Sequence, residues 1–409
     1  MISIKNKLKS CGFIIASAVV VLSACNKGTL DIPSNNTAMP VGLSVAETLA
    51  AMPNDSLFSR MVIKSGMVAT LGNKTLAYTI FVPDNAAVIA SFGGTLASAN
   101  ATIAALSATT LASIVKYHML PQKLTSSQIV HGFPNLQRPT DIILDPTNPL
   151  VRMSAFPSKN PSNNLYYFNN VPLTSADAMV DLSVIHHIAF ISSPPSRVLK
   201  DTIGRVANLS YLRAAIARAD SGQTNLNRFD SLLNFAVTNM TLLAPSDVAF
   251  QTLIFGLVYG QTLAATGSPA TANTQATAAV AAGPAIFQSP TFFGALPAAS
   301  VRGIIAYHLL AGPNAAGAIQ PNVRVFTVNI PSTPTFVKTL VNASVAVHPG
   351  IRAQATFTGP FATTVTFRSF GTFPPGGAPY SGTPASIIAA DRHAVNGVFH
   401  IIDQVLLPQ

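Results

Sequence analysis

The chain has 409 residues, a formal charge of +10, 49% hydrophobic and only 9% charged residues, no Trp and two Cys. That length suffices for two domains of ordinary size. The basic residues stand singly among apolar and hydroxyl neighbours, which argues against a nucleic-acid binder, where cations gather in a stripe.

Lys5, Lys7 and Lys9 precede a mostly apolar run from Phe13 to Val21, followed by Leu22-Ser23-Ala24-Cys25. These are the three parts of a secretory signal. The run falls well short of the roughly 18 to 20 residues a spanning helix needs, so residues 1–24 are expected to direct export and be removed. Cys11 and three lysines leave with them, so +7 remains and Cys25 is the one cysteine left. No internal disulfide can then form, and stability must come from the core. The tetrapeptide resembles the lipobox of bacterial lipoproteins. That resemblance implies acylation of Cys25 and attachment to a membrane, each buried methylene contributing about 0.8 kcal/mol. Asn26-Lys27 offers no aspartate that signals inner-membrane retention in some bacteria, which points to the outer membrane of a cell envelope and leaves periplasmic or surface exposure open. Residues 25–40 read as a tether. At most about 3.5 Å per residue, it reaches roughly 50 Å.

Two domains are expected, at residues 41–195 and 196–409. Ser44-Val-Ala-Glu47 is a capping-box signature ahead of Leu49 and Met52, and Leu57 and Met61 mark another helix. Thr79-Ile-Phe-Val-Pro83-Asp-Asn85 matches Thr241-Leu-Leu-Ala-Pro245-Ser-Asp247. In both, a short apolar strand runs into proline, and Asn85 or Asp247 is expected to cap the next helix. Thr110 to Leu120 matches Ser300 to Leu310, with Thr110 and Ser300 expected as N-caps. Leu111, Ile114 and Val115 precede His118 at helical spacing, as Val301, Ile304 and Ile305 precede His308, so both histidines fall on a buried stripe. Val184-Ile-His186 resembles Val398-Phe-His400. Three matches in one order imply a duplicated unit.

The second copy is longer. Pro83 to His118 spans 35 residues against 63 from Pro245 to His308, and His118 to His186 spans 68 against 92 from His308 to His400. The first excess falls near 256–297, where Ala, Thr, Gly and Pro predict a surface loop or partly disordered lobe; Thr, Gln, Asn and Pro interrupt it too often for a membrane span. The second falls near 357–384, around Pro374-Pro375-Gly376-Gly377. Ser210 is expected to cap a helix carrying Leu212 and Ile216. Alternation predicts strands at Phe326, Val328 and Ile330 and at Thr364 to Arg368, with others at Ile142 to Leu144 and Leu165 to Phe168. Helices early and strands late in each copy give an α+β class. Ser192 to Ser196 reads as a short stiff linker.

These elements, with the closing Asn396-Gly397-Val398-Phe399-His400-Ile401-Ile402-Asp403, resemble the fasciclin domain family. The resemblance implies two tandem fasciclin-like domains, each a β-wedge with a cluster of short helices, engaged in adhesion or matrix contact, with no common catalytic site or cofactor. In animal members the Tyr-His segment is associated with receptor binding. That points to Tyr117-His118 and Tyr307-His308, and the closing motif to His400 and Asp403, as binding or structural residues. The first copy departs, with Leu182-Ser183 for Asn396-Gly397 and Ala189 for Asp403, so a different turn is expected there.

A buried imidazole bonded to a carbonyl is a common structural device, and the stripe position favours that role for His118 and His308. His186 and His187 are adjacent in a strand and point to opposite faces, so with Asp181 they make a poor metal site. Asp391-Arg392-His393 reads as a solvated loop. No phosphate loop, His-Glu-x-x-His, Gly-x-Ser-x-Gly or cysteine cluster is present in the sequence, which argues against catalysis, metal or cofactor. Expected partners are the membrane, through the acyl chains, and cell-surface proteins or glycans. The rival function is a lipoprotein that captures a glycan or solute, for which Tyr166, Tyr167 and Tyr380 are the available aromatics.

Overall fold

Ordered helix begins at the capping box. The Glu47 amide donates to Ser44 Oγ at 3.2 Å and the Ser44 amide donates to the Glu47 carboxylate at 2.7 Å, opening α1 (Val45–Ala51). The computed structural model describes residues 42–408 except 132–134, 293–295, 314–318, 343–347 and 373–375; Cys25, the tether, Pro374 and Pro375 lie outside the described residues. Val41–Gln409 forms one compact unit.

In the first copy α1 is followed by α2 (Ser56–Lys64), α3 (Val68–Leu71), β1 (Thr79–Pro83), α4 (Asn85–Ser91), α5 (Leu96–Ala105) and α6 (Ala108–Tyr117). Strands then dominate: β2 (Met119–Leu120), β3 (Arg138–Ile143), β4 (Arg152–Ala155), β5 (Pro157–Lys159), β6 (Tyr166–Phe168), β7 (Val171–Val180) and β8 (Ser183–Ile188). The sheet runs β2-β1-β8-β7-β6-β5, with β3-β4 as a separate pair. β1 lies parallel to β8. Every residue of β1 is buried, because Ile80 and Val82 face the helical core and Phe81 faces a second core with Phe168 and Ile188. That two-sided burial is why the strand reads as a continuous apolar run.

The second copy repeats the plan with α7 (Leu199–Gly204), α8 (Ser210–Ala219), α9 (Phe229–Asn234), β9 (Met240–Pro245), α10 (Asp247–Thr266), α11 (Pro269–Ala281) and α12 (Ala298–Tyr307). After these come β10 (Gly312–Pro313), β11 (Ile319–Gln320), β12 (Thr335–Val337), β13 (Ile351–Thr358), β14 (Phe361–Arg368), β15 (Ala385–Ala394) and β16 (Gly397–Ile402). The sheet order is β12-β13-β14-β15-β16-β9, and β16 is parallel to β9. The fold is α+β in both copies.

Several expectations are corrected. The stretch after Gly256 is a helical hairpin, not a loop. Gly267 ends α10 at φ +66°, Ser268 caps α11, and Ala272, Ala276 and Ala279 pack inward. Alanine is the strongest helix former, and its small face lets α11 lie close to α10. By length and composition α10 could cross a membrane, with mean hydropathy 1.4 and 22% of that window buried; its buried side includes Phe250, Leu253 and Ile254. Phe326, Val328 and Ile330 do not alternate along a strand, because Thr327–Asn329 is a 3-10 turn. Thr110 and Ser300 are not N-caps: Ser107 caps α6, and Pro297 precedes α12 without a side-chain cap.

Asn85 and Asp247 also do something other than cap their own helices. Asp84 and Ser246 are the N-caps of α4 and α10. Asn85 Oδ1 instead accepts the Leu57 amide at 2.9 Å, and Asp247 Oδ1 accepts the Tyr211 amide at 2.9 Å. Each therefore satisfies an orphan donor at the start of α2 or α8 from outside that helix. Ser210, expected to cap α8, is its first residue and donates to Asp247 Oδ2 at 2.8 Å.

The two copies meet through a small core of Phe156, Tyr167, Phe326, Val328 and Val398. Around it, Asn329 accepts from Asn135 Nδ2 at 2.5 Å and donates to Ser158 Oγ at 2.8 Å. Tyr167 donates to the Pro360 carbonyl at 2.7 Å. Arg324 is buried here over the Phe156 ring, 4.8 Å from its centroid, and donates to the Val395 carbonyl at 3.1 Å. Burial lowers its pKa to about 10.

Candidate functional site

The Tyr-His segments end α6 and α12. His118 Nδ1 donates to the Ile114 carbonyl at 2.8 Å, and the Ser192 amide donates to Nε2 at 3.1 Å. His308 repeats this with the Ile304 carbonyl at 2.8 Å and the Leu406 amide at 3.0 Å. Both rings are 0% exposed, and burial lowers both pKa values to about 4, so the neutral form is the one that fits these bonds. Tyr117 and Tyr307 are equally buried. Tyr117 Oη accepts from Asn169 Nδ2 at 3.2 Å, and Tyr307 Oη accepts the Phe370 amide at 3.0 Å. Burial pushes the Tyr307 hydroxyl up to about 12. In this structure the four side chains fasten each helix end to its own domain, and none presents a surface to a partner.

His186 and His400 organise a second matching network. Nε2 of His186 donates to the Leu124 carbonyl at 2.8 Å and Nδ1 accepts the Asp177 amide at 3.1 Å. His400 does the same with Val325 at 3.0 Å and Asp391 at 3.1 Å. Asp177 and Asp391 stand at bulges with φ +63° and +50°, a region that Asp tolerates better than most residues. Their carboxylates receive the first amide of a 3-10 turn, from Ser126 at 2.8 Å and Thr327 at 2.9 Å. Thr79 and Thr241 complete the pattern, accepting the amides of Leu124 at 2.8 Å and Val325 at 2.9 Å. Asp391-Arg392-His393, expected as a solvated loop, lies within β15, and His393 pairs with Asn170 Oδ1 across the domain junction at 3.2 Å.

Asp403 Oδ1 accepts the Ser386 amide at 2.7 Å. In the first copy the corresponding strand residue is Pro172, whose carbonyl accepts the Ala189 amide at 3.0 Å. Proline has no amide proton, so the place of Asp403 can be taken by alanine. The turns differ less than expected. Both final hairpins turn on two residues, Asp181-Leu182 between Val180 and Ser183, and Val395-Asn396 between Ala394 and Gly397. Asn396 occupies the second turn position and its side chain accepts the Leu199 amide at 2.7 Å. Gly397 begins the strand because a Cβ there would meet Leu199 Cδ1 at 2.4 Å.

Sequence reasoning missed one array altogether. His187 Nδ1 lies 2.9 Å from Ser175 Oγ and Nε2 lies 3.0 Å from the buried Asp55 carboxylate. That bond raises the His187 pKa. The second copy has Ala389 opposite Ile401, with Leu209 buried in the turn before α8. One column of side chains is hydrogen-bonded in one domain and apolar in the other, which marks it as structural. His186 and His187 do point to different faces, and no group of three metal-ligating side chains occurs among the described residues.

What the joined domains leave open is a groove of about 550 Å³ at their junction, lined by Val171, Phe190, Ile191, Val328, Phe361 and His393 among others. Phe190 and Phe361, one from each domain, are 39% and 47% exposed with ring centroids 6.4 Å apart. The tyrosines named above do not gather. Tyr167 is buried in the joint, Tyr166 lies beneath Lys159, and Tyr380 packs on Phe336 and Phe370.

A family model described as "Fasciclin domain" matches residues 53–191, from the turn before α2 to the end of the first sheet. Those residues are a fasciclin domain. The solved structure titled "Novel Fold Revealed by the Structure of a FAS1 Domain Pair from the Insect Cell Adhesion Molecule Fasciclin I" is 13% identical, with 86% of this chain and 96% of that chain covered and a TM-score of 0.32. So loose a likeness adds nothing for individual residues. The second fasciclin-like domain is placed instead by its own equivalence with the first, bond for bond around Thr79 and Thr241, His118 and His308, and His186 and His400. No curated protein matches the chain.

Proposed function

We propose that the protein is a non-catalytic, lipid-anchored protein of the cell envelope that mediates adhesion or surface contact through its two fasciclin-like domains. The fasciclin match to residues 53–191 carries this reading. The leader and Cys25 support the anchor, and Asn26-Lys27 after the cysteine, in place of a retention aspartate, favours the outer membrane. The contact surface is assigned to the domain junction, because the Tyr-His segments are buried whereas Phe190 and Phe361 are exposed beside a groove. Exposed aromatic side chains at the centre of a patch commonly dominate an interface.

The test measures saturable binding of residues 26–409 to intact cells and to isolated envelopes. Phe190→Ala with Phe361→Ala is expected to weaken binding by about tenfold, the scale of losing a modest hot spot. Substituting Tyr117 by Phe is expected to leave binding unchanged. Absence of saturable binding, or loss only in the Tyr117 variant, contradicts the proposal.

A further inference from the structure

The second domain carries a groove whose lining holds three cations and two carboxylates. It measures about 480 Å³ and lies among α7, α8 and α9, with Ile203, Ile216 and Leu233 as an aliphatic floor and Lys200, Arg205, Arg213, Asp201 and Asp230 as its charged lining, one cation in excess. That volume is in the roughly 300–1,000 Å³ range of small-molecule sites. Its cations are not equally occupied. Lys200 is paired with Asp230 at 2.9 Å. Arg213 Nη1 donates to the carbonyls of Ile203 at 3.2 Å and Val206 at 2.8 Å, which fixes the guanidinium at the end of α7. Arg205 is exposed and its side chain has no hydrogen bond or ion pair among the described residues.

The first domain provides an internal control. Thr48 and Thr202 each donate back to the N-cap carbonyl, of Ser44 at 2.8 Å and Val198 at 2.9 Å, and the Leu57 and Tyr211 amides are bound alike by Asn85 and Asp247. In that register Lys200, Arg205 and Arg213 stand where the first domain has Ala46, Ala51 and Ser59, whereas the acidic Asp201 matches Glu47. Ile203 and Ile216 match Leu49 and Val62, so the floor is shared. The three cations are therefore additions around a common aliphatic floor, not requirements of the fold.

We propose that this groove binds a small amphipathic carboxylate, with its aliphatic part on Ile203, Ile216 and Leu233 and its carboxylate between Arg205 and Arg213. A guanidinium presents parallel N–H donors that match a carboxylate in two bonds. The named lining has no aromatic ring on which a sugar would stack, which favours an aliphatic ligand over a glycan. The site is separate from the junction groove, so it stands or falls independently of the adhesive reading.

Calorimetric titration of residues 26–409 with octanoate, octanol and octylammonium tests it. Octanoate is expected to bind saturably, and the other two about tenfold more weakly or not at all, since neither offers an anion to the arginines. Arg205→Glu is expected to weaken octanoate by about tenfold or more through charge reversal on an exposed residue. Gly204→Leu gives a second check, because a Cβ at Gly204 meets nothing within 4 Å and a longer side chain can fill the groove; it is expected to abolish binding while the unfolding midpoint stays near that of the parent. No saturable octanoate binding, equal binding of octanol, or an unaltered affinity in Arg205→Glu overturns the proposal.

Discussion

Asp55 and His187 face each other at 3.0 Å inside the first domain, where the second domain carries Leu209 and Ile401. Evolution of one fold in two copies has thus solved one core position both as an ion pair and as an aliphatic contact. Removing one partner strands the other in a site where Asp55 is 1% exposed. His187→Ile alone, which leaves the Asp55 carboxylate buried without its partner, is expected to destabilise by about 3–5 kcal/mol, and the double variant Asp55→Leu with His187→Ile to recover most of that loss. Urea unfolding of the two singles and the double measures the coupling.

The same pair sets a pH dependence on the alkaline side of about pH 6.5. The Asp55 carboxylate raises the His187 pKa above the 6.5 of the unfolded chain. Its contribution is full below that value and is lost as pH rises through the folded pKa. His187→Ile is expected to flatten this part of the stability profile, read from urea midpoints on the alkaline side of about pH 6.5.

His118 and His308 act in the opposite window. Burial holds both near 4 in the folded chain against 6.5 unfolded. The unfolded chain therefore takes up protons first on acidification. Stability is full above about pH 6.5 and falls until about pH 4, by at most about 3 kcal/mol per histidine. His118→Phe is expected to remove part of that slope and to cost about 2 kcal/mol or more at neutral pH, because the Ile114 carbonyl and the Ser192 amide lose their partner.

Ser386 and Asp403 predict a further cycle. Asp403→Ala leaves the Ser386 amide without its acceptor and is expected to cost about 1–3 kcal/mol. Adding Ser386→Pro, the arrangement of Pro172 and Ala189, is expected to reduce that penalty. A separate variant, Gly397→Ala, places a methyl against Leu199 and is expected to cost about 1–3 kcal/mol in overpacking.

Much of the fold was legible because periodic burial and repeats leave marks in one dimension. The strand ending at Pro83, the helix ending at His118 and their copies are local patterns, and the structure places them in equivalent positions. The 3-10 turn at Thr327–Asn329 was not legible, since it depends on Asp391, 64 residues away, accepting its first amide. A signal was present: Asp177 precedes His186 by nine residues, as Asp391 precedes His400. The caps were misplaced by one residue because Asp84-Asn85 and Ser246-Asp247 each offer two capping side chains, and only tertiary packing sends the second to α2 or α8. The joint among Phe156, Tyr167 and Phe326, and the exposed pair Phe190 and Phe361, arise where two domains meet. Neither has a local pattern.

Binding of fluorescently labelled residues 26–409 to intact cells tests the central proposal most directly. The account predicts a saturable isotherm that survives moderate salt and weakens when Phe190 and Phe361 are both replaced by alanine. Linear, non-saturating uptake, or an isotherm indifferent to those two residues, contradicts it.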